Sequence, residues 1–236
     1  MDKARLEEIA AQMMAPGKGI LAADESTGTI KKRFDQINTE STEDSRRDYR
    51  EMLFRADGFD EAISGVILFD ETIRQNAADG TALRDLIASK GAVPGIKVDA
   101  GAKDLPGCPG EQVTEGLDGL RDRLAEYREL GAGFAKWRAV INIADGIPSY
   151  SCIRANTHAL ARYAALCQEA GIVPIVEPEV IMDGSHSIDV CDDVTGWALS
   201  ELYQELYNQR VYLEGTVLKP NMVISGTDAP TRAGVE

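Results

Sequence analysis

The chain has 236 residues, 44% of them hydrophobic and 27% charged, the make-up of a globular protein able to fill a core. A formal net charge of -14 and a pI near 4.6 argue against a nucleic-acid binder or a binder of anionic membranes. Any anion site must show as a local group of lysines and arginines, which can outweigh distant surface charge because screening acts over about 8 Å.

The four cysteines, Cys108, Cys152, Cys167 and Cys191, form no C-x-x-C pair and read as reduced thiols of a cytoplasmic protein. Two histidines, His158 and His186, are too few for an imidazole-based zinc site. No apolar run approaches the roughly 18 residues of a membrane helix, and the N-terminal segment is amphipathic rather than a signal peptide.

In chain order, Leu6, Ile9 and Met13 mark a helix from Asp2 to Met14, stopped by Pro16. Gly17 to Ser26 reads as a strand ending in polar residues. A helix from Arg46 to Ala56 and a strand from Ser64 to Phe69 follow. The helix from Thr81 to Lys90 closes at Gly91 and leads to a strand from Val93 to Val98. Leu117, Leu120, Leu124 and Tyr127 mark a helix ended by Gly131. A strand from Phe134 to Ile141, a helix from Ser151 to Ala170, a strand from Ile172 to Val180 and a helix from Val194 to Arg210 complete the alternation. The last strand runs from Thr216 to Leu218, directly before Lys219 and Pro220.

Alternating strands and helices predict a parallel sheet with helical crossovers. A doubly wound sheet would show a glycine-rich nucleotide fingerprint after its first strand, and neither G-x-G-x-x-G nor a Walker A sequence is present. Polar residues at the C-terminal ends of nearly every strand favour a (β/α)8 TIM barrel instead. Only about six of its eight strands can be counted. The sequence thus reads as one incomplete barrel domain over 1–236, with about the first six βα units, and Ser225 to Glu236 reads as a polar loop before a further helix.

Lys219 stands where proline blocks regular continuation of a strand. It is either a snorkelling surface residue or an amine nucleophile forming a Schiff base with a carbonyl. Residues two apart on a strand share a face, pairing Lys97 with Asp99, Lys136 with Arg138, Glu177 with Glu179, and Lys219 with Asn221. With Asp24 at the end of the first strand, four cations and four anions converge at the barrel mouth, too costly an arrangement for a purely structural role. Such a cluster suits lysine chemistry. Burial beside a second cation, Lys136, would free the Lys219 amine, Glu177 or Glu179 would donate the proton that dehydrates the carbinolamine, and Asp24 would be the base at a neighbouring hydroxyl.

Five stretches, Gly17 to Gly28, Pro94 to Asp99, Phe134 to Arg138, Pro174 to Glu179 and Leu213 to Met222, closely resemble class I fructose-bisphosphate aldolase, in order over almost the whole chain. The resemblance implies a (β/α)8 barrel that reversibly cleaves fructose 1,6-bisphosphate to dihydroxyacetone phosphate and glyceraldehyde 3-phosphate, without a metal or other cofactor. It implies Lys219 as the Schiff-base lysine, Glu177 as general acid/base and Asp24 as the carboxylate at the C4 hydroxyl, with Lys136 polarising the site and Glu179 supporting it. Lys97, Arg138, Lys32, Arg33, Ser26 and Thr29 are similar to positions lining the substrate and its C6-phosphate end. The implied partner is a sugar phosphate, with neither nucleic acid nor membrane; a homo-oligomer is allowed.

The chain departs from the family pattern at Ala100, where a lysine is usual, at Asp70, where histidine is frequent, and in lacking the C-terminal third. That third would supply two strands, a serine-bearing loop and an arginine for the C1 phosphate, and a tail tyrosine. Rival readings are a Schiff-base aldolase for another ketose phosphate and a catalytically impaired fragment that acts only by association through open strand edges. A metal-dependent aldolase is disfavoured by the shortage of histidine.

Overall fold

A computed structural model of the chain describes residues 1–234; the last two residues of the predicted Ser225–Glu236 loop lie outside the described residues. Six parallel strands form one sheet, taken up strictly in chain order: β1 (Gly19–Ala23), β2 (Ile63–Leu68), β3 (Val93–Lys97), β6 (Phe134–Ile141), β7 (Val173–Val180) and β8 (Val217–Leu218). Between β3 and β6 lies a small antiparallel hairpin, β4 (Ala102–Asp104) and β5 (Gln112–Thr114). The helices are α1 (Lys3–Met13), α2 (Thr27–Gln36), α3 (Glu43–Phe54), α4 (Phe59–Ala62), α5 (Asp70–Arg74), α6 (Leu83–Ser89), α7 (Leu120–Glu129), α8 (Tyr150–Glu169) and α9 (Ile188–Asn208). The result is a curled α/β sheet, the six-strand part of a barrel, open between β1 and β8. Among the described residues neither of these strands has a second neighbour.

Strand alternation divides the apolar residues into two layers. Val66 and Leu68 of β2, Ile96 of β3, Ala135, Trp137 and Ala139 of β6, and Val176 of β7 point outward and pack under the helices. Trp137 is fully buried, its ring 5.5 Å from that of Tyr163 on α8. Ile67, Val93, Phe134, Val173, Ile175 and Val217 point inward and meet Leu6, Ile9, Ala10 and Met13 of α1, which plugs the N-terminal end of the barrel. Phe134 is the large side chain of that end, and two glycines make room for it. A Cβ on Gly95 would lie 2.3 Å from its ring, and one on Gly65 3.1 Å.

Except on β2, whose inward face is continued by Phe69, the inward faces turn from apolar to charged as their strands rise. On β6 the order is Phe134, Lys136, Arg138; on β7 it is Val173, Ile175, Glu177, Glu179. The closed floor and the polar mouth are therefore two halves of the same alternation.

Several expected boundaries move, each for a local reason. α3 starts at Glu43 rather than Arg46, because Thr42 and Ser45 form a capping box. α9 starts at Ile188 rather than Val194, because the Ser187 side chain accepts a hydrogen bond from the Val190 N–H. Thr216 falls outside β8, following a 3-10 turn at Leu213–Gly215. Between the first strand and α3 the structure adds a helix absent from the sequence-based order, α2, capped by Ser26. The short helices α4 and α5 and the β4–β5 hairpin had no periodicity long enough to reveal them.

Candidate active site

The C-terminal ends of β1, β3, β6, β7 and β8 converge on one cavity of about 730 Å³. All eight charged residues expected at the strand ends line it: Asp24, Lys97, Asp99, Lys136, Arg138, Glu177, Glu179 and Lys219. Parallel register does this. Lys97 lies beside Lys136, and Arg138 beside Glu177, while β7 and β8 pair Val176 with Leu218. The Lys219 N–H adds a bond of 3.0 Å to the Val176 carbonyl, which carries the pairing one residue past β8 and sets the amine next to Glu177.

Glu177 is the hub. It is buried, its Oε1 accepts a hydrogen bond from Lys219 Nζ, and its Oε2 lies 3.3 Å from Lys136 Nζ. Lys136 is buried too and also reaches Asp24 Oδ2 at 3.0 Å. Burial alone would lower the Lys136 pKa, but Asp24, Glu177 and Asp99 together outweigh it and hold the ammonium above its ordinary 10.5. Lys136 is thus a fixed cation joining two carboxylates.

Two further pairs complete the rim. Lys97 Nζ donates to Asp99 Oδ1 at 2.5 Å, and Asp99 also accepts from the Gly101 and Arg138 N–H groups. That carboxylate, given no role in the sequence reading, ties β3, the loop after it and β6 together. Arg138 Nε donates to Glu179.

Four expectations change. The Lys219 side chain is 44% exposed, with Glu177 rather than Lys136 against its amine, because the sheet is open beside β8. Glu179 holds Arg138, two residues beyond Lys136 on the same face, so Glu177 and Asp24 support Lys136 instead. Asn221 does not share the Lys219 side, since Pro220 breaks the alternation; its side chain donates to Thr195 and accepts from the Val180 N–H. Ser26 and Thr29 reach the cavity, but Lys32 and Arg33 are exposed on α2 outside its lining. Arg33 is turned onto Glu25, a lining residue that the sequence reading did not single out although it adjoins Asp24.

The cysteines and histidines stand outside the lining of this cavity. Cys152 and Cys191 are buried, and burial pushes the Cys152 thiol up to about 11, which keeps it protonated and inert. His158 pairs with Glu205 on the outer helices, and His186 is buried in the β7–α9 loop.

The family model for class I fructose-bisphosphate aldolase, the glycolytic enzyme, matches residues 5–236. This chain belongs to the class I fructose-bisphosphate aldolases. It is 60% identical over 232 residues to a Xanthomonas campestris pv. campestris protein named Probable fructose-bisphosphate aldolase class 1, covering 98% of this chain and 70% of that one. It is 52% identical to fructose-bisphosphate aldolase C-B of Danio rerio, covering 99% of this chain and 65% of the relative. A solved structure of the Plasmodium falciparum aldolase, in complex with TRAP and a small-molecule inhibitor, superposes with a TM-score of 0.96 at 46% identity. That match covers 98% of this chain and 67% of the other. Class I fructose-bisphosphate aldolase activity is accordingly the function of this family member, and the barrel mouth is where its aldolase chemistry has to be sought.

Proposed function

We propose that this aldolase cleaves fructose 1,6-bisphosphate through an imine between Lys219 Nζ and the substrate C2 carbonyl. The observation that carries this reading is the contact of the Lys219 amine with one oxygen of Glu177, whose other oxygen faces the fixed cation Lys136.

A lysine amine attacks only once it has lost a proton. Glu177 is in place to accept that proton, and Lys136 limits the build-up of negative charge around it. Attack on C2 gives a carbinolamine. Glu177, now an acid, protonates the departing hydroxyl, water leaves, and a protonated imine remains. Asp24 then takes the proton of the C4 hydroxyl, the C3–C4 bond breaks, and its electron pair flows into the imine to form an enamine. Glyceraldehyde 3-phosphate departs. Protonation of the enamine at C3 and hydrolysis of the imine release dihydroxyacetone phosphate and restore the free amine. The electron sink is the imine itself, so this route calls for no metal or organic cofactor.

Lys97 and Arg138 are the cations within the cavity that would meet a phosphate, with Ser26 and Thr29 offering hydroxyls at the α2 end. Arg33 would join them by leaving Glu25, and Lys32 by moving inward. We place the protein in the cytoplasm, in keeping with a relative named fructose-bisphosphate aldolase 6, cytosolic, from Arabidopsis thaliana; no helix among the described residues is long and apolar enough to cross a membrane. A homo-oligomer is compatible with this reading.

Borohydride reduction in the presence of dihydroxyacetone phosphate, followed by peptide mapping, tests the assignment. The adduct is expected on Lys219 and absent from Lys219→Met. A stable adduct on another lysine, or none, would overturn it.

A further inference from the structure

Helix α3 carries two arginines one turn apart, Arg46 and Arg50, that face the C-terminal ends of β1 and β2. Arg46 grips Glu71 with two bonds, Nε to Oε1 at 2.8 Å and Nη2 to Oε2 at 2.5 Å. Glu71 sits on α5, immediately beyond β2. Arg50 is fully buried, and its Nη2 donates to the backbone carbonyl of Glu25 at 2.8 Å. Its guanidinium also stands 4.0 Å from the Glu25 carboxylate and 3.7 Å from that of Glu71.

A fully buried arginine is a poor choice for stability. The Nε and Nη1 of Arg50 have no hydrogen-bond partner, so part of the desolvation cost is not recovered. Apolar side chains of similar volume commonly serve as well as, or better than, buried ion pairs. What an apolar side chain could not do is fix one carbonyl. The Glu25 carbonyl belongs to the Glu25–Ser26 peptide, only the two Glu25 torsions away from the Asp24 Cα, so holding it restricts how far the segment that carries the Asp24 carboxylate can shift. Asp24 in turn must lie within reach of both Lys136 and a substrate hydroxyl.

We propose that Arg50 is a positioning residue for the C–C cleavage step, acting from outside the cavity through the Glu25 carbonyl on Asp24. This rests on the imine reading above. It separates two halves of the reaction. Imine formation depends on Lys219 and Glu177, which Arg50 does not touch, whereas bond cleavage depends on Asp24.

The test compares Arg50→Met and Arg50→Lys with wild type in two assays, turnover of fructose 1,6-bisphosphate and the rate of borohydride trapping with dihydroxyacetone phosphate. Displacing a reacting group by about 1 Å can cost about 100-fold, so Arg50→Met should lose about that factor in kcat with little change in KM. Its trapping rate should stay within about twofold of wild type. Arg50→Lys, which keeps one donor for the carbonyl, should fall between. A parallel fall of both assays in step with loss of near-UV circular dichroism, or no change in either, would overturn the proposal. If Arg50→Met does not fold, Arg50→Lys decides by the same ratio of cleavage to trapping. Failure of the wild type to trap at Lys219 would overturn the imine reading instead, and is visible without any variant.

Discussion

At the scale of single residues, the site is governed by Lys136. Sequence spacing placed it as a second cation beside Lys219, but Glu177 stands between the two amines and links them. Removing Lys136 would leave Asp24 and Glu177 without their shared cation. Lys136→Met should therefore lose about 3 kcal/mol of stability at neutral pH. The pH dependence has a definite sign. The folded pKa of Lys136 is raised, so its contribution is fully present below the ordinary value of 10.5 and is lost only as the pH rises through the higher folded value. Chemical denaturation of wild type and variant should give a constant difference from neutral pH up to about the ordinary lysine value of 10.5, and one that shrinks from there as the pH rises through the folded value. A difference already vanishing between neutrality and the ordinary lysine pKa would show that the ammonium is not held as described. The eight strand-end charges were legible because a period of two and a parallel sheet together dictate where they go. What each one touches was not legible. Whether Glu179 meets Lys136 or Arg138 depends on sheet curl, and whether Arg33 faces the cavity or Glu25 depends on how α2 leaves its cap.

At the scale of elements, the floor of the barrel is a ring held over two glycines. Phe134 is fully buried, and a methyl group at Gly95 would overlap its ring at 2.3 Å. Gly95→Ala should therefore cost about 1–3 kcal/mol through overpacking, with larger side chains worse. Combining it with Phe134→Leu should recover part of the loss, because the overlapping ring is gone; thermal unfolding of the two single variants and the double variant checks this. Additive losses would mean that the ring and the glycine are not in conflict. Long amphipathic or apolar elements were readable at this scale. β6 runs from Phe134 to Ile141 as expected, and α1 and α8 shift by only a residue or two. Apart from the ten-residue α2, which buries only Ile30 and Phe34 and so shows little apolar periodicity, the unread elements were short ones whose existence depends on tertiary partners. α5 is five residues long and is anchored through Glu71 to Arg46, while the three-residue strands β4 and β5 exist by pairing with each other.

At the scale of the whole molecule, the sheet is open. β1 and β8 bound a groove of about 290 Å³ lined by Met13, Met14, Ile20, Ile67, Val217 and Leu218, with unpaired strand backbone on either side among the described residues. Exposed strand edges beside apolar surface favour association. The 236-residue chain should self-associate with rising concentration in sedimentation velocity, and a monodisperse monomer throughout would contradict this. The electrostatics of the mouth carry a different consequence. Four cationic and five acidic side chains line it, so the mouth is no basin of positive potential, and the protein around it is strongly acidic. On the reading proposed above, a phosphate group would reach Arg138 only by displacing Glu179, and Arg33 only by displacing Glu25, so it would have to bond at least as well as the carboxylate left behind. A weakly basic monoanion such as chloride would be a poor substitute for either carboxylate, so these ion pairs would themselves select for strongly bonding, multiply charged ligands.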